Sequence, residues 1–290
     1  MTGPGKSARS VQRTKSSASE QDRPSREPVW TAPAVATPLQ PPPAFLDACR
    51  EFGIEFDPGD TERLGLFLSL LLDANAAMNL TAIREPAEAW TRHVLDSLSL
   101  LQLLSELPPG SRVLDVGSGG GLPGVPLAVV LPHLQFTLLE ATGKKAAYLR
   151  EVVRALGLSN ASVLNARAET AGHDRGARTS GPARVGGHRE AYDAVLARAV
   201  GPLATIAELT VPFAKAPSEG RPGGRVILVK GRKADEELAE AARCLQLLHT
   251  AHEGTVDTPT GRVVILAKLD DTPRQYPRAD GEPKRKPLGC

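Results

Sequence analysis

Residues 112–124 read Arg-Val-Leu-Asp-Val-Gly-Ser-Gly-Gly-Gly-Leu-Pro-Gly. An apolar strand runs into Asp115 and then into a turn with glycines at 117, 119 and 121. Glycine takes up left-handed backbone at no steric cost and carries no side chain, so such a turn lets the backbone touch a bound nucleoside. The chemistry of the chain is expected here.

A dinucleotide fingerprint has glycines at its first, third and sixth positions, and the sixth position here is Leu122. An acid, one residue and then Gly-x-Gly-x-Gly resembles motif I of the S-adenosylmethionine (SAM) methyltransferases. There an acidic residue closes the first strand, and the glycine turn lies under the amino-acid and ribose portions of the cofactor. A diphosphate needs helix N-terminal amides; SAM carries no phosphate. The plain alternative is a tight strand-to-helix turn without a ligand. A second acid weighs against it: Glu140 ends the next apolar run, Phe136–Glu140. A carboxylate at the tip of strand two is placed to accept both ribose hydroxyls of an adenosine. Asp115, Gly117, Ser118, Gly119, Gly121, Leu122 and Glu140 are therefore the first candidates for cofactor binding.

A chain of 290 residues, 41% hydrophobic, can bury one good core with a small accessory domain. Its longest apolar runs, around Leu64–Leu72 and Val125–Leu131, are too short to span a membrane. No charged stretch followed by an apolar one opens the sequence, and the cytoplasm is the expected location. Cys49, Cys244 and Cys290 are odd in number and widely spaced, which argues against a disulfide framework or a metal site. Residues 1–43 carry six Lys/Arg against three Asp/Glu, and residues 271–290 carry five against three. A nucleic acid would thus meet a local basic patch and the tails, or else the tails simply aid solubility.

Residues 1–43 are rich in Ser, Pro, Arg and Thr and are expected to be a disordered extension. A helical cap is expected over 44–110. Its first helix, 58–77, repeats Leu64, Phe67, Leu68, Leu71 and Leu72 at helical spacing, and its second runs over 85–104. A cofactor-binding domain follows at 111–270, with a basic tail at 271–290. Within that domain strands are expected near 112–116, 135–140, 161–165, 191–197 and 224–230. Helices fall at 122–131, 143–156, 202–213 and 233–247, an alternation that predicts a parallel sheet covered on both faces. Residues 172–190 read as a flexible insertion. Strands near 249–256 and 262–268, joined by Asp257-Thr258-Pro259-Thr260-Gly261, suit an antiparallel pair. The expectation is an α/β Rossmann-like methyltransferase fold: a mostly parallel seven-stranded sheet with helices on both faces and an N-terminal helical cap.

Four pieces occur in order: Asn79-Leu80-Thr81, Arg92–Leu98, Asp115–Gly124 and Ala197-Arg198-Ala199. The ordered set resembles the bacterial small-subunit ribosomal RNA methyltransferase family RsmG, also called GidB, over about residues 45–288. The likeness includes Tyr276-Pro277-Arg278 and Lys286-Pro287-Leu288. It implies methylation of N7 of one guanine in the decoding-region loop of 16S rRNA, with SAM as cofactor and the small ribosomal subunit as partner. It also carries cofactor contacts to Gly117, Leu122, Ala168, Glu169 and Arg198. A monomer is expected. Two rivals stay open: a methyltransferase of the same fold with a small-molecule or protein substrate, and a SAM/RNA-binding regulator without catalysis.

Methyl transfer from a sulfonium is an in-line displacement, so alignment is the main task. Guanine N7 carries an exposed lone pair and needs no general base. Pyrimidine carbon-5 methylation needs a Cys nucleophile in the site, and none of the cysteines lies in a motif. Arg198 can contact the SAM carboxylate, hold an RNA phosphate or pair with a structural acid. Lys144, Lys145, Arg150 and Lys230 can grip RNA phosphates or stand as solvated charges. His93, Asp96 and Ser97 lie within one helical turn, too close for triad geometry. Fastening the cap over the cofactor site, or touching the RNA, is their expected role.

Overall fold

Apolar side chains on both faces of a strand require cover on both sides. β1 (Arg112–Val116) meets that demand, since Val113 enters one core cluster and Leu114 the other, each with no solvent exposure. In the computed structural model, which describes residues 1, 3, 30–178, 184–198 and 201–289, β1 is an interior strand of the sheet, with a neighbour on each side. The further strands are β2 (Gln135–Glu140), β3 (Ala161–Asn165), the short pair β4 (Ala177–Arg178) and β5 (Arg184–Val185), β6 (Ala194–Arg198), β7 (Arg225–Lys230), β8 (Thr250–Thr258) and β9 (Gly261–Lys268). The seven-stranded sheet has the order β3-β2-β1-β6-β7-β9-β8. Its first five strands are parallel, and β9 and β8 close it antiparallel. The chain direction across the sheet reverses between β1 and β6, the kind of crevice where open α/β sheets hold ligands.

Helices Gly124–Val130 and Gly143–Ala155 cover one face together with the N-terminal cap. Leu203–Thr210 and Ala242–Leu247 cover the other. The cap helix Asp60–Met78 buries Leu64, Phe67, Leu68 and Leu71, and it packs directly behind the glycine turn. A Cβ at Gly121 would lie 3.3 Å from Phe67, and one at Gly120 would lie 3.0 Å from Leu71.

Four expectations need correction. The second cap helix is segmented: Pro86–Ala89, a wide π-type turn Trp90–Leu95, Asp96–Leu98, then Leu101–Leu104. Ser97 Oγ donates to the His93 carbonyl at 2.6 Å, a side-chain bond that competes with the helix ladder in this stretch. Of the extension expected to be disordered, residues 2 and 4–29 lie outside the described residues, but 30–42 pack on the body. Leu39 N–H donates to the Gly65 carbonyl at 3.1 Å, and any side chain at Gly65 would strike the Leu39 backbone. Trp30 Nε1 donates to Asp73 at 2.6 Å and its ring meets Tyr148.

The basic tail is a packed strap. Tyr276 and Leu288 are buried, and the Arg278 guanidinium forks onto the fully buried Glu208 carboxylate at 2.6 Å. The 172–190 insertion is anchored at both ends among its described residues, because Arg189 is buried and ties Gly172 to the strap. Residues 179–183 lie outside the described residues.

Candidate functional site

The turn after β1 folds as its glycines require. Gly117, Gly119 and Gly121 have φ of 75°, 53° and 93°, the left-handed region that strains other residues. Gly117 N–H donates to the Leu139 carbonyl at 2.8 Å and so joins the turn to β2. Glu140, at the end of β2, accepts from Gly119 N–H at 3.1 Å and from Thr142 N–H at 2.7 Å. The two features singled out in the sequence, glycine turn and second acid, thus meet.

Asp115 has no solvent exposure and sits beneath the turn. One carboxylate oxygen accepts from Gly124 N–H at 3.0 Å, and the other has no hydrogen-bond partner among the described residues. Burial pushes the Asp115 carboxyl up to about 7, and the hydrogen bonds it accepts offset this only in part. Asp115 thus sits out of reach of solvent and braces the turn from beneath. Ser118 is likewise buried, its hydroxyl donating to the Asp115 carbonyl at 3.0 Å. Leu122 is partly buried against the core.

The turn fits a nucleoside on two counts. An added Cβ at Gly119 would meet nothing nearer than the turn's own Gly117 carbonyl at 3.7 Å, so the backbone faces open space. Each Glu140 oxygen accepts a single backbone N–H and keeps acceptor capacity for hydroxyls.

Ala168 and Glu169 begin a short helix after β3, as expected of a strand exit. Glu169, however, accepts from Gly281 N–H of the strap at 2.9 Å. Arg198 at the end of β6 takes up the structural pairing that the sequence left open. Its Nη1 lies 3.2 Å from Asp96, and its Nη2 donates to the Arg92 carbonyl at 2.7 Å. Asp96 also accepts from the Thr260 hydroxyl, so the cap, β6 and the β8–β9 turn are tied at one point.

His93 is buried beside this knot. Its Nε2 faces the Thr81 hydroxyl at 2.8 Å and its Nδ1 the Arg92 carbonyl at 3.1 Å, a pattern met by the Nδ1–H tautomer. Burial first, then the Arg198 guanidinium, pulls the imidazole down to about 4. His93 is therefore a neutral strut.

Among the expected RNA contacts, Lys144 and Arg150 are exposed and Lys145 is partly so. Lys230 is not free for RNA: its buried Nζ pairs with Glu237 at 2.6 Å and donates to the Gly201 carbonyl. The residues just beyond it, Arg232 and Lys233, are exposed where β7 ends, as is Arg84 in the cap. Sequence reading missed Asn75, whose buried amide oxygen accepts from Leu80 and Thr81 N–H and sets the break after the first cap helix. The clue lay in Asn75 and Asn79 closing an otherwise apolar helix.

A family model described as rRNA small subunit methyltransferase G, GidB, matches residues 60–262. The chain belongs to the GidB family. A ribosomal RNA small subunit methyltransferase G from Sorangium cellulosum is 47% identical over 240 residues, covering 83% of this chain and 93% of the relative. One from Alkaliphilus metalliredigens is 34% identical over 248 residues, covering 83% and 96%. A solved SAM-dependent methyltransferase from Aquifex aeolicus superposes with a TM-score of 0.46 at 16% identity, over 66% of this chain and 97% of that one. The matched GidB region holds the glycine turn, Glu140, Arg198 and the His93–Asp96 knot, and it ends within β9.

Proposed function

We propose that the protein transfers the methyl group of SAM to N7 of a guanine in the decoding-region loop of 16S rRNA, as a cytoplasmic monomer. The observation that carries this reading is the glycine turn, held by Glu140 at the β1–β6 switch point, on a GidB chain. When bound, SAM supplies an electrophilic methyl on a sulfonium. Gly117–Leu122 is the backbone bed for it, Glu140 the acceptor for ribose hydroxyls, and Ala168 with Glu169 the neighbouring wall.

Guanine N7 attacks with its own lone pair, so no residue has to remove a proton first. The site agrees with that demand: both nitrogens of His93 are engaged and the ring stays neutral near pH 7. The task left to the side chains is holding the RNA in line. Arg84, Arg92, Lys144, Arg150, Arg232 and Lys233 are exposed cations suited to phosphates.

The test is incubation of the purified chain with methyl-labelled SAM and small subunits from cells lacking the enzyme, followed by mass spectrometry of the RNA. One 7-methylguanosine in the decoding-region loop is expected. Label on another atom, or on metabolites and not on RNA, overturns the reading. Tight RNA binding with no label indicates a regulator.

A further inference from the structure

β1 and β6 run parallel, and the glycine turn follows β1, whereas residues 172–190 lead into the start of β6. Between that insertion and the start of the strap, at the opposite end of the strands from the turn, is a cavity of about 340 Å³. It is lined by His173, Arg175, Arg189 and Arg274, and by no carboxylate.

Arg189 is its buried floor, at 6% exposure. Its Nη1 donates to the carbonyls of Gly172 at 2.8 Å and Tyr276 at 2.7 Å, and its Nη2 to those of Thr272 at 2.7 Å and Pro273 at 3.3 Å. Carbonyls satisfy the N–H groups and bring no negative charge. The remaining donor, Nε, is buried with no hydrogen-bond partner among the described residues. Glu190 and Asp271 are close enough to favour the charge, yet neither forms an ion pair with it. Arg175, partly exposed, and Arg274, exposed, have no ion-pair partner among the described residues. His173 Nε2 is engaged by the Pro277 carbonyl at 2.7 Å, which leaves Nδ1 free of any such bond.

Three guanidiniums around a concavity, one of them buried with no ion-pair partner among the described residues, form a site for a multivalent oxyanion. We propose that this cavity binds a phosphate group of the substrate RNA backbone, a second attachment point remote from the methyl-transfer site. Arg175 and Arg274 supply the planar forks, and Arg189 supplies the fixed charge beneath them. The ligand chemistry is phosphate; its source in RNA rests on the rRNA reading above.

The experiment uses the full chain, an Arg175→Ala/Arg274→Ala variant and an Arg175→Lys/Arg274→Lys variant, with thermal unfolding midpoints matched first. Inorganic phosphate is titrated by NMR, and binding and methylation of small-subunit rRNA are measured against salt. The alanine pair is expected to lose the phosphate response and to flatten the log affinity–log salt slope by about 1. Its KM for RNA rises several-fold at unchanged kcat, and the lysine pair retains most of both responses. Loss of phosphate binding with unaltered RNA binding assigns the cavity to a free phosphate. Wild-type behaviour of the alanine pair in both measurements overturns the proposal. If the wild-type chain does not methylate the RNA at all, the functional reading fails, and the phosphate titration still judges the cavity.

Discussion

Asp115 has one carboxyl oxygen capping Gly124 and the other buried and unpartnered among the described residues. Its carboxyl is raised to about 7, whereas in the unfolded chain it ionises near 4. Between those values the folded state keeps a proton that the unfolded state has released, so this group's contribution falls as pH rises through the window. Asp115→Asn keeps an oxygen for Gly124 and carries no charge. The variant is expected to gain on the wild type by about 2–3 kcal/mol between pH 5 and pH 8 in urea unfolding; a difference independent of pH sinks the argument. Two glycines nearby separate binding from folding. At Gly119 a side chain faces open space, so Gly119→Val costs about 1 kcal/mol of backbone strain and is expected to abolish the calorimetric signal with SAM. At Gly124 a Cβ would stand 2.4 Å from Leu138 and 2.7 Å from Asp115. Gly124→Ala is expected to lose about 1–3 kcal/mol by overpacking, read as a lowered denaturation midpoint.

The Asp96–Arg198 pair, just after the short π-type turn Trp90–Leu95, ties the cap to β6. Both partners are largely buried, so removing one leaves the other as an uncompensated charge. Arg198→Ala is expected to cost about 3 kcal/mol in urea unfolding. It also lifts the His93 pKa from about 4 while leaving it below 6.5, because burial is the larger cause; an NMR titration that returns His93 to its ordinary value contradicts that order. The parallel strands were legible from sequence since each is a short, mainly apolar run bounded by turn residues, and β1, β2 and β3 agree with the expected limits, whereas the two-residue strands β4 and β5 lie in what read as a flexible insertion. That Glu140 and the glycine turn share one end of the sheet was legible because β2 is parallel to β1 and their ends coincide, whereas the bond from Gly119 N–H was not. What stayed hidden depends on distant partners. Lys230 reads as a strand-end cation until Glu237, on the next helix, is seen to neutralise it. Arg198 lay open until Asp96, 102 positions earlier by residue number, closed the pair.

Across the whole molecule residues 271–289 bind regions that are far apart in sequence. The strap leaves β9, passes the Arg189 floor, sets Arg278 on Glu208 of the helix Leu203–Thr210, and meets Glu169 beside the proposed cofactor wall through Gly281. Its composition is polar and proline-rich, and two apolar anchors, Tyr276 and Leu288, are too few to register as periodicity. The burial of Glu208 decides its importance, since a carboxylate with no exposure is tolerable only with its guanidinium in place. Deleting residues 271–290 strands that charge and strips Arg189 of three of its four carbonyl partners. The truncated chain is expected to lose about 3–5 kcal/mol or more of stability, seen as a collapse of the denaturation midpoint and rapid proteolysis. Glu208→Gln alone is expected to cost about 3 kcal/mol, whereas Glu208→Leu with Arg278→Met recovers most of it, because the desolvated pair is replaced by apolar contact. A truncation with an unchanged midpoint means that the strap is a tail after all, and a double variant no better than the single one means that the pair does more than neutralise a buried charge.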